Sequence, residues 1–446
     1  MVNDVTFRLV MTLILSNNWE ADIVDVETAF LYRDLEEEIY MKIPEGLDRH
    51  LNKNFKNEDC FLLEKSIYGL VQAARQYYKK FIKVMTDELK FQKCLADSCL
   101  LMRKDENGTL VVCVYVDDTM CLGERKAIDK FKAEIRKHFL TKDEGEMTEY
   151  VGCTVCRGST GNLKMHQPHL LAKLKREFGN EVEKMRTYDT PAGNRDTIIR
   201  VKENDKDVVK LEGTKQTRYR SGVGMLLYLV KFSRPDIANA SRELAKAMDK
   251  STEGHYKALL RAIKYVITTE DLGLTYDSGT LINFKGLWKI EAYSDSDFAG
   301  DRDTRLSVTG FSVFIGNCLV SWKSRSQKTV TLSSTETEYV AVSEVCMEIL
   351  FIKQILEFLK IIIDFPITVH CDNVGAIFLG YNEKNSQRTK HVDIRHHYVR
   401  QYVEDGMVKI IFVRLEENSV DTYTKNTTGK IFKRHALRGM GSSDEK

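Results

Sequence analysis

Apolar and polar positions along the chain follow two alternating periods. Residues 5–18 carry apolar side chains at helical spacing, as do residues 66–90, where Phe81, Val84, Met85 and Leu89 share one face. Helical spacing returns at 124–139, with Ile128, Phe131, Ile135 and Phe139 in register. Short strand-like runs lie at 22–25, 39–43, 100–103 and 110–116. The last two flank Asp105-Glu106-Asn107-Gly108, a strong turn signal. A hairpin is expected around Gly158 to Asn162. Residues 180–216 are polar and charged and contain Pro191 and Gly193, the composition of a linker. Helices then dominate 217–270. From about 288 the texture changes to strands at 291–297, 308–315 and 329–332. A long helix over 335–360 follows, then a strand at 367–371, helices near 373–380 and 390–404, a strand at 407–413 and a last helix near 418–425. This succession predicts an α+β or mixed α/β fold.

A length of 446 residues suggests two or three domains, and 43% hydrophobic with 30% charged residues suits globular ones. The formal charge of +2 excludes little, because a nucleic-acid protein needs local basic patches rather than global basicity. The ten cysteines are scattered, and Cys153 and Cys156 form a CxxC without a second pair. Free thiols in a reducing compartment are expected, not a zinc site. The apolar patch Leu9 to Leu15 is too short to span a bilayer and no small-residue cleavage site follows it, so an amphipathic helix is expected, with neither secretion nor a membrane partner.

Carboxylates carry the candidate chemistry. The apolar run Val111 to Val116 ends in Asp117 and Asp118. Adjacent acids repel, and a turn there can bring both near one cation; a solvated hairpin turn is the alternative. Asp25, following Ile23 and Val24, is a candidate third ligand. A second set sits beyond residue 290: Asp295 in a strand, Glu338 on the long helix, Asp372 at a strand end and Asp421 at the start of the last helix. Such elements can converge on a cation pair for phosphodiester chemistry, while each acid alone reads equally well as a surface or capping group.

A family resemblance connects these sets. Asp25-Val26-Glu27-Thr28-Ala29-Phe30-Leu31, Asp34 to Met41, Leu63 to Tyr78 and Tyr115-Val116-Asp117-Asp118 resemble, in order, blocks of copia-type LTR-retrotransposon reverse transcriptases. Ala74 stands where that family usually has proline. Tyr150 to Val155 and Gly161 to Gln167 look like the hairpin after the palm, and Tyr219 to Leu229 with Ser233 to Ile237 look like the connection. Asp295 to Asp301, Arg305 to Phe311, Ser321 to Val330, Leu332 to Ala341, Cys371-Asp372-Asn373 and Arg388 to His397 resemble the family's ribonuclease H. Asn426-Thr427-Thr428 replaces its usual proline–leucine pair.

The resemblance implies a partial right-hand polymerase (palm, thumb and connection) followed by an RNase H-like domain with a mixed five-stranded sheet. The expected boundaries are 1–180 for palm and thumb, 181–287 for linker and connection, and 288–446 for RNase H. It implies Asp25, Asp117 and Asp118 as polymerase ligands, Asp295, Glu338, Asp372 and Asp421 as RNase H ligands, and two Mg²⁺ per site with Mn²⁺ as substitute. Tyr68, Gly69 and Gln72 would lie near the incoming nucleotide. Asp297, Glu336 and Asp393 are decoys by this alignment, and His391, His396 and His397 are read as substrate contacts or packing rather than zinc ligands. The implied partners are RNA template, DNA primer, dNTPs, RNA–DNA hybrid and other Pol parts such as integrase. The implied location is a cytoplasmic virus-like particle with nuclear access. About two dozen residues precede Asp25, fewer than the family's fingers require, so impaired polymerase activity beside intact RNase H is expected. The alternative is an inactive remnant that at most binds nucleic acid.

Overall fold

The computed structural model describes the chain except residues 33, 34, 36, 52, 53, 57, 159, 160, 203, 204, 206, 207, 284, 383–392 and 441–446, and the side chains of 393–397. Asp34 and His391 therefore lie outside the described residues, as do the side chains of Asp393, His396 and His397. The chain forms two compact units, Met1–Asn3 with Trp19–Met147, and Asp4–Asn18 with Thr148–Lys446. Both mix helices with sheets.

The first unit contains β1 (Glu20–Val26), β2 (Tyr40–Lys42), β3 (Cys60–Leu62), β4 (Gln92–Lys93), β5 (Leu100–Asp105), β6 (Gly108–Tyr115), β7 (Asp118–Gly123) and β8 (Thr141–Glu146). Six of these form an antiparallel sheet in the order β4-β5-β6-β7-β1-β8, and β2 pairs with β3. The unbroken apolar run Leu110 to Val114 is buried along its length, as expected of a strand covered on both faces. The Asp105/Gly108 hairpin forms as expected, with Gly108 at φ +115° and Asp105 Oδ1 accepting from Asn107 N at 2.8 Å. The helix expected over 66–90 is shorter. It runs from Ala73 to Lys83 and then widens into a π turn over Val84–Glu88. Residues before it make turns instead, with Gly69 at φ +97° and Leu70 N donating to Ile67 O.

In the second unit β9 (Glu149–Tyr150), β10 (Cys153–Arg157), β11 (Leu163–His166) and β12 (Leu274–Tyr276) form one antiparallel sheet, β12-β11-β10-β9. Alternation along β10 buries Cys153 and exposes Cys156, which separates the CxxC pair, and none of the ten cysteines is in a disulfide. A five-stranded sheet follows, from β13 (Ile290–Asp297), β14 (Val308–Ile315), β15 (Cys318–Ser326), β16 (Ile367–Cys371) and β17 (Val408–Phe412). Its order is β15-β14-β13-β16-β17, antiparallel as far as β13 and parallel beyond it. The helix Ser334–Phe358 packs on β13 and β14.

Three expectations are corrected here. The third strand of the five is Cys318–Ser326, not 329–332. A two-residue hairpin, Gly316 (φ +57°) and Asn317, turns the chain directly after β14, and the outer half of β15 is too polar to register as an apolar run. Asp421 opens a single turn, Asp421–Thr424, and a further helix, Gly429–Gly439, buries Phe432 and Ala436. The helix Asp4–Asn17 is not amphipathic: Val5 through Ile14 are all buried.

The compact units also do not follow the boundaries expected at 180 and 287. The helices between 168 and 268 share a core, including Phe178, Tyr219, Leu226 and Ile263, with Phe432 and Ala436 from the far end of the chain. Tyr276 donates to Leu319 O, and Trp322 Nε1 donates to Val230 O at 3.0 Å. Arg8 stacks its guanidinium 4.1 Å from the Trp322 ring centroid and donates to Val320 O and Lys231 O. One continuous packing arrangement thus joins residues on both sides of 287.

Candidate active sites

In the first unit Asp25 on β1 stands directly opposite Asp118 on β7. Cross-strand partners present their side chains to the same face, so these carboxylates are neighbours. Asp117 lies in the two-residue turn from β6 to β7, whose first residue, Val116, has φ +59°. A β-branched side chain is strained in that conformation. The turn is tied to β1 by Val26 N donating to Asp117 O at 3.0 Å. Burial, then the charge of Asp117, raises the pKa of Asp25; burial, then Asp117 and Asp25, raises that of Asp118. Glu144 adds to both, and Lys142, the partner of Asp25 on β8, opposes the rise at Asp25. The fold thus brings the three expected acids into one field that a cation would relieve.

Tyr68 shares that field. Its ring packs 4.6 Å from Phe30, and burial followed by Asp117 and Asp25 holds its phenol above the usual range. Gly69 and Gln72 shape the turn into the helix Ala73–Lys83, with Gln72 O accepting from Gln76 N at 2.9 Å.

In the second unit four elements meet. β13 carries Asp295, the helix Ser334–Phe358 carries Glu338, the end of β16 leads into Asp372, and the turn Asp421–Thr424 begins with Asp421. Asp295 is 2% exposed and Glu338 7%, burial that ionised acids tolerate only with compensating charge or donors. Glu338 Oε1 accepts from Ser296 N at 3.1 Å, while its Oε2 is buried without a hydrogen-bond partner. Burial, then Asp295 and Asp372, pushes Glu338 well above the carboxylate range. Burial, then Asp295, raises Asp372 and Asp421 to about 6 each. The expected four acids therefore stand in one shared field. Hard oxygen donors gathered in one field, with one oxygen unpartnered, fit a divalent cation.

The decoys behave differently from one another. Glu336 is engaged in helix capping: its Oε2 accepts from Leu332 N at 2.8 Å and its N donates to Ser333 Oγ. Asp297 follows Asp295 on the same strand face and is itself raised by burial. Sequence reading missed three participants. Lys425 Nζ lies 2.5 Å from Asp421 Oδ1, Thr424 Oγ1 donates to Asp295 Oδ2, and Cys371 contributes a sulfur beside Glu338 and Asp372. The i,i+4 spacing of Asp421 and Lys425 was a usable signal for the first.

A family model described as reverse transcriptase (RNA-dependent DNA polymerase) matches residues 2–192. The chain is 32% identical over 424 residues to the retrovirus-related Pol polyprotein from transposon TNT 1-94 of Nicotiana tabacum, covering 94% of this chain and 31% of that one. It is 30% identical over 438 residues to the corresponding polyprotein from transposon RE1 of Arabidopsis thaliana, covering 98% of this chain and 28% of that one. The chain thus spans about a third of the length of these relatives. Among solved structures, the compost-derived LC11-RNase H1 is similar at 12% identity and TM-score 0.24, over 33% of this chain and 96% of that one.

Proposed function

Because the chain belongs to the Pol family of copia-type LTR retrotransposons, we propose that it carries out two phosphoryl-transfer reactions. RNA-directed DNA synthesis is assigned to Asp25, Asp117 and Asp118. Cleavage of RNA in RNA–DNA hybrids is assigned to Asp295, Glu338, Asp372 and Asp421. The observation that carries the reading is the convergence of these four acids from a strand, a helix, a strand end and a helix start, with Glu338 Oε2 buried and unpartnered.

Mg²⁺, with Mn²⁺ as substitute, would supply positive charge against the phosphate and activate the attacking oxygen. Asp295, Glu338, Asp372 and Asp421 would hold it in the second unit, and Asp25, Asp117 and Asp118 in the first. The protein's own contribution is positioning. Thr424 and the Ser296 amide orient Asp295 and Glu338, and Lys425 holds Asp421. In the first unit the strained Val116 turn, tied to β1, keeps Asp117 beside Asp25 and Asp118. Tyr68 would border the incoming nucleotide. The substrates on this reading are RNA template, DNA primer, dNTPs and RNA–DNA hybrid, the hybrid read through its shape and ribose hydroxyls.

The test is cleavage of a labelled RNA–DNA hybrid by the purified chain with and without Mg²⁺. Mg²⁺-dependent cutting of the RNA strand is expected. An intact hybrid under both conditions would leave a nucleic-acid-binding remnant as the reading.

A further inference from the structure

We propose that Cys371 makes the acid cluster of the second unit a site for thiophilic divalent cations, Zn²⁺ or Cd²⁺, held by Glu338, Cys371 and Asp372. Alternation along β16 points Ile367, Val369 and Cys371 into the interior, so the strand delivers a buried thiol one residue before the exit acid Asp372. The Cys371 sulfur, a Glu338 carboxylate oxygen and an Asp372 carboxylate oxygen all lie within 4.8 Å of one another. Among the described residues this is the one group of three metal-ligand side chains gathered so closely.

A second observation points to a ligand at the same place. Glu338 uses Oε1 to accept from the Ser296 amide, and its Oε2 is left buried without a hydrogen-bond partner. A buried carboxylate oxygen in that state is costly unless something positive meets it. The thiol makes a weak contact, 3.9 Å, to Asn373 O within the same turn.

Ligand chemistry then sets the class of ion. Mg²⁺ prefers oxygens and gains little from sulfur, whereas one thiolate with two carboxylates suits Zn²⁺ or Cd²⁺. Binding forms a metal–sulfur bond as the thiol proton passes to buffer, with no change of oxidation state. The phosphoryl-transfer chemistry proposed above leaves Cys371 unused. Thiophilic ions would share Glu338 and Asp372 with Mg²⁺ and therefore compete with it, coupling the nuclease to the supply of soft metals. The inference rests on the reading of Glu338 and Asp372 as cation ligands.

The experiment uses the full chain with its exposed thiols removed, Cys60→Ser and Cys156→Ser. Cd²⁺ is titrated while X-ray absorption reports its ligands, and Mg²⁺ stabilisation of the same protein is measured by thermal unfolding. A tightly held Cd²⁺ with a sulfur ligand is expected. Adding Cys371→Ser should weaken Cd²⁺ binding on the order of tenfold or more and remove the sulfur signal. Cd²⁺ held by oxygen and nitrogen alone overturns the inference, and that reading needs no further variant. Cd²⁺ binding unchanged by Cys371→Ser overturns it as well. If Mg²⁺ stabilises the protein in either case, the reading of the acids as cation ligands stands; if neither ion binds, both fall.

Discussion

Lys425 places its Nζ 2.5 Å from Asp421 Oδ1, one helical turn along the chain and inside the acid cluster of the second unit. The ammonium opposes the rise in pKa that burial and Asp295 impose on both Asp421 and Asp372. Its own pKa is raised despite burial, because Asp295 and Asp421 favour the charged form. Replacing it with methionine should therefore protonate the carboxyls at higher pH. For Lys425→Met, the acid limb of the cleavage pH profile is expected to move alkaline by roughly one unit or more, while Lys425→Arg should move it little. A methionine variant with the parent profile would mean that the ammonium does not set this field.

The same shifts dictate a pH dependence of stability. Asp372 and Asp421 titrate at about 6 in the folded chain, against about 4 when unfolded. Between those values the folded state binds more protons, so stability falls as pH rises from about 4 through about 6. Divalent cations bind the ionised folded state and should reverse the loss by mass action. The thermal midpoint of the second unit, measured in chelator, should decline over that window, with Mg²⁺ restoring it near neutral pH. A midpoint indifferent to both pH and Mg²⁺ would contradict the clustered geometry.

Local pattern carried much of this molecule. The Asp105/Gly108 hairpin, the buried run of β6 and the long helix bearing Glu338 follow from turn chemistry and apolar periodicity. Pattern made the acids of both sites candidates and resemblance alone set them apart, because a lone aspartate at a strand end has the same local signature whether or not others converge on it. Convergence is a tertiary fact: Asp295 and Thr424 meet across more than a hundred residues. β15 was illegible because its outer half, Lys323 to Ser326, alternates polar residues on a half-covered edge. Composition reports local texture and so marks a change near 287, whereas the contacts from Trp322 to Val230 and Arg8 are long-range and run across it.

Those contacts make a prediction about folding. Arg8 is buried, and its guanidinium satisfies Val320 O and Lys231 O while stacking on Trp322. Arg8→Ala would strip partners from two carbonyls and should cost about 3 kcal/mol, read as a lower thermal midpoint of the second unit. A fragment beginning at residue 288 would lose Arg8, Val230 and the helical core that holds Phe432, so it should lack a cooperative melt. Cooperative unfolding of that fragment would show that these contacts are dispensable.

The two acid sets should be separable by substitution. Asp25, Asp117 and Asp118 belong to the first compact unit, and Asp295, Glu338, Asp372 and Asp421 to the second. Burial and acids of the first unit raise Asp25 and Asp118, and burial and acids of the second unit raise Glu338, Asp372 and Asp421. Asp117→Asn removes a charge that acts on Asp25 and Asp118 and should reduce primer extension roughly 10³-fold, the scale of losing a key charge in phosphoryl transfer. Hybrid cleavage by that variant should stay at the parent rate. Asp372→Asn should do the reverse, abolishing cleavage and most of the Mg²⁺ stabilisation of the second unit while leaving extension intact. Asparagine keeps the shape of each side chain, so folding should survive and the loss can be assigned to charge. Parallel assays on one preparation of each variant decide the matter. Loss of both activities in Asp117→Asn would mean that the sites are coupled, and unchanged cleavage in Asp372→Asn would mean that the acids assigned to the second unit are wrong.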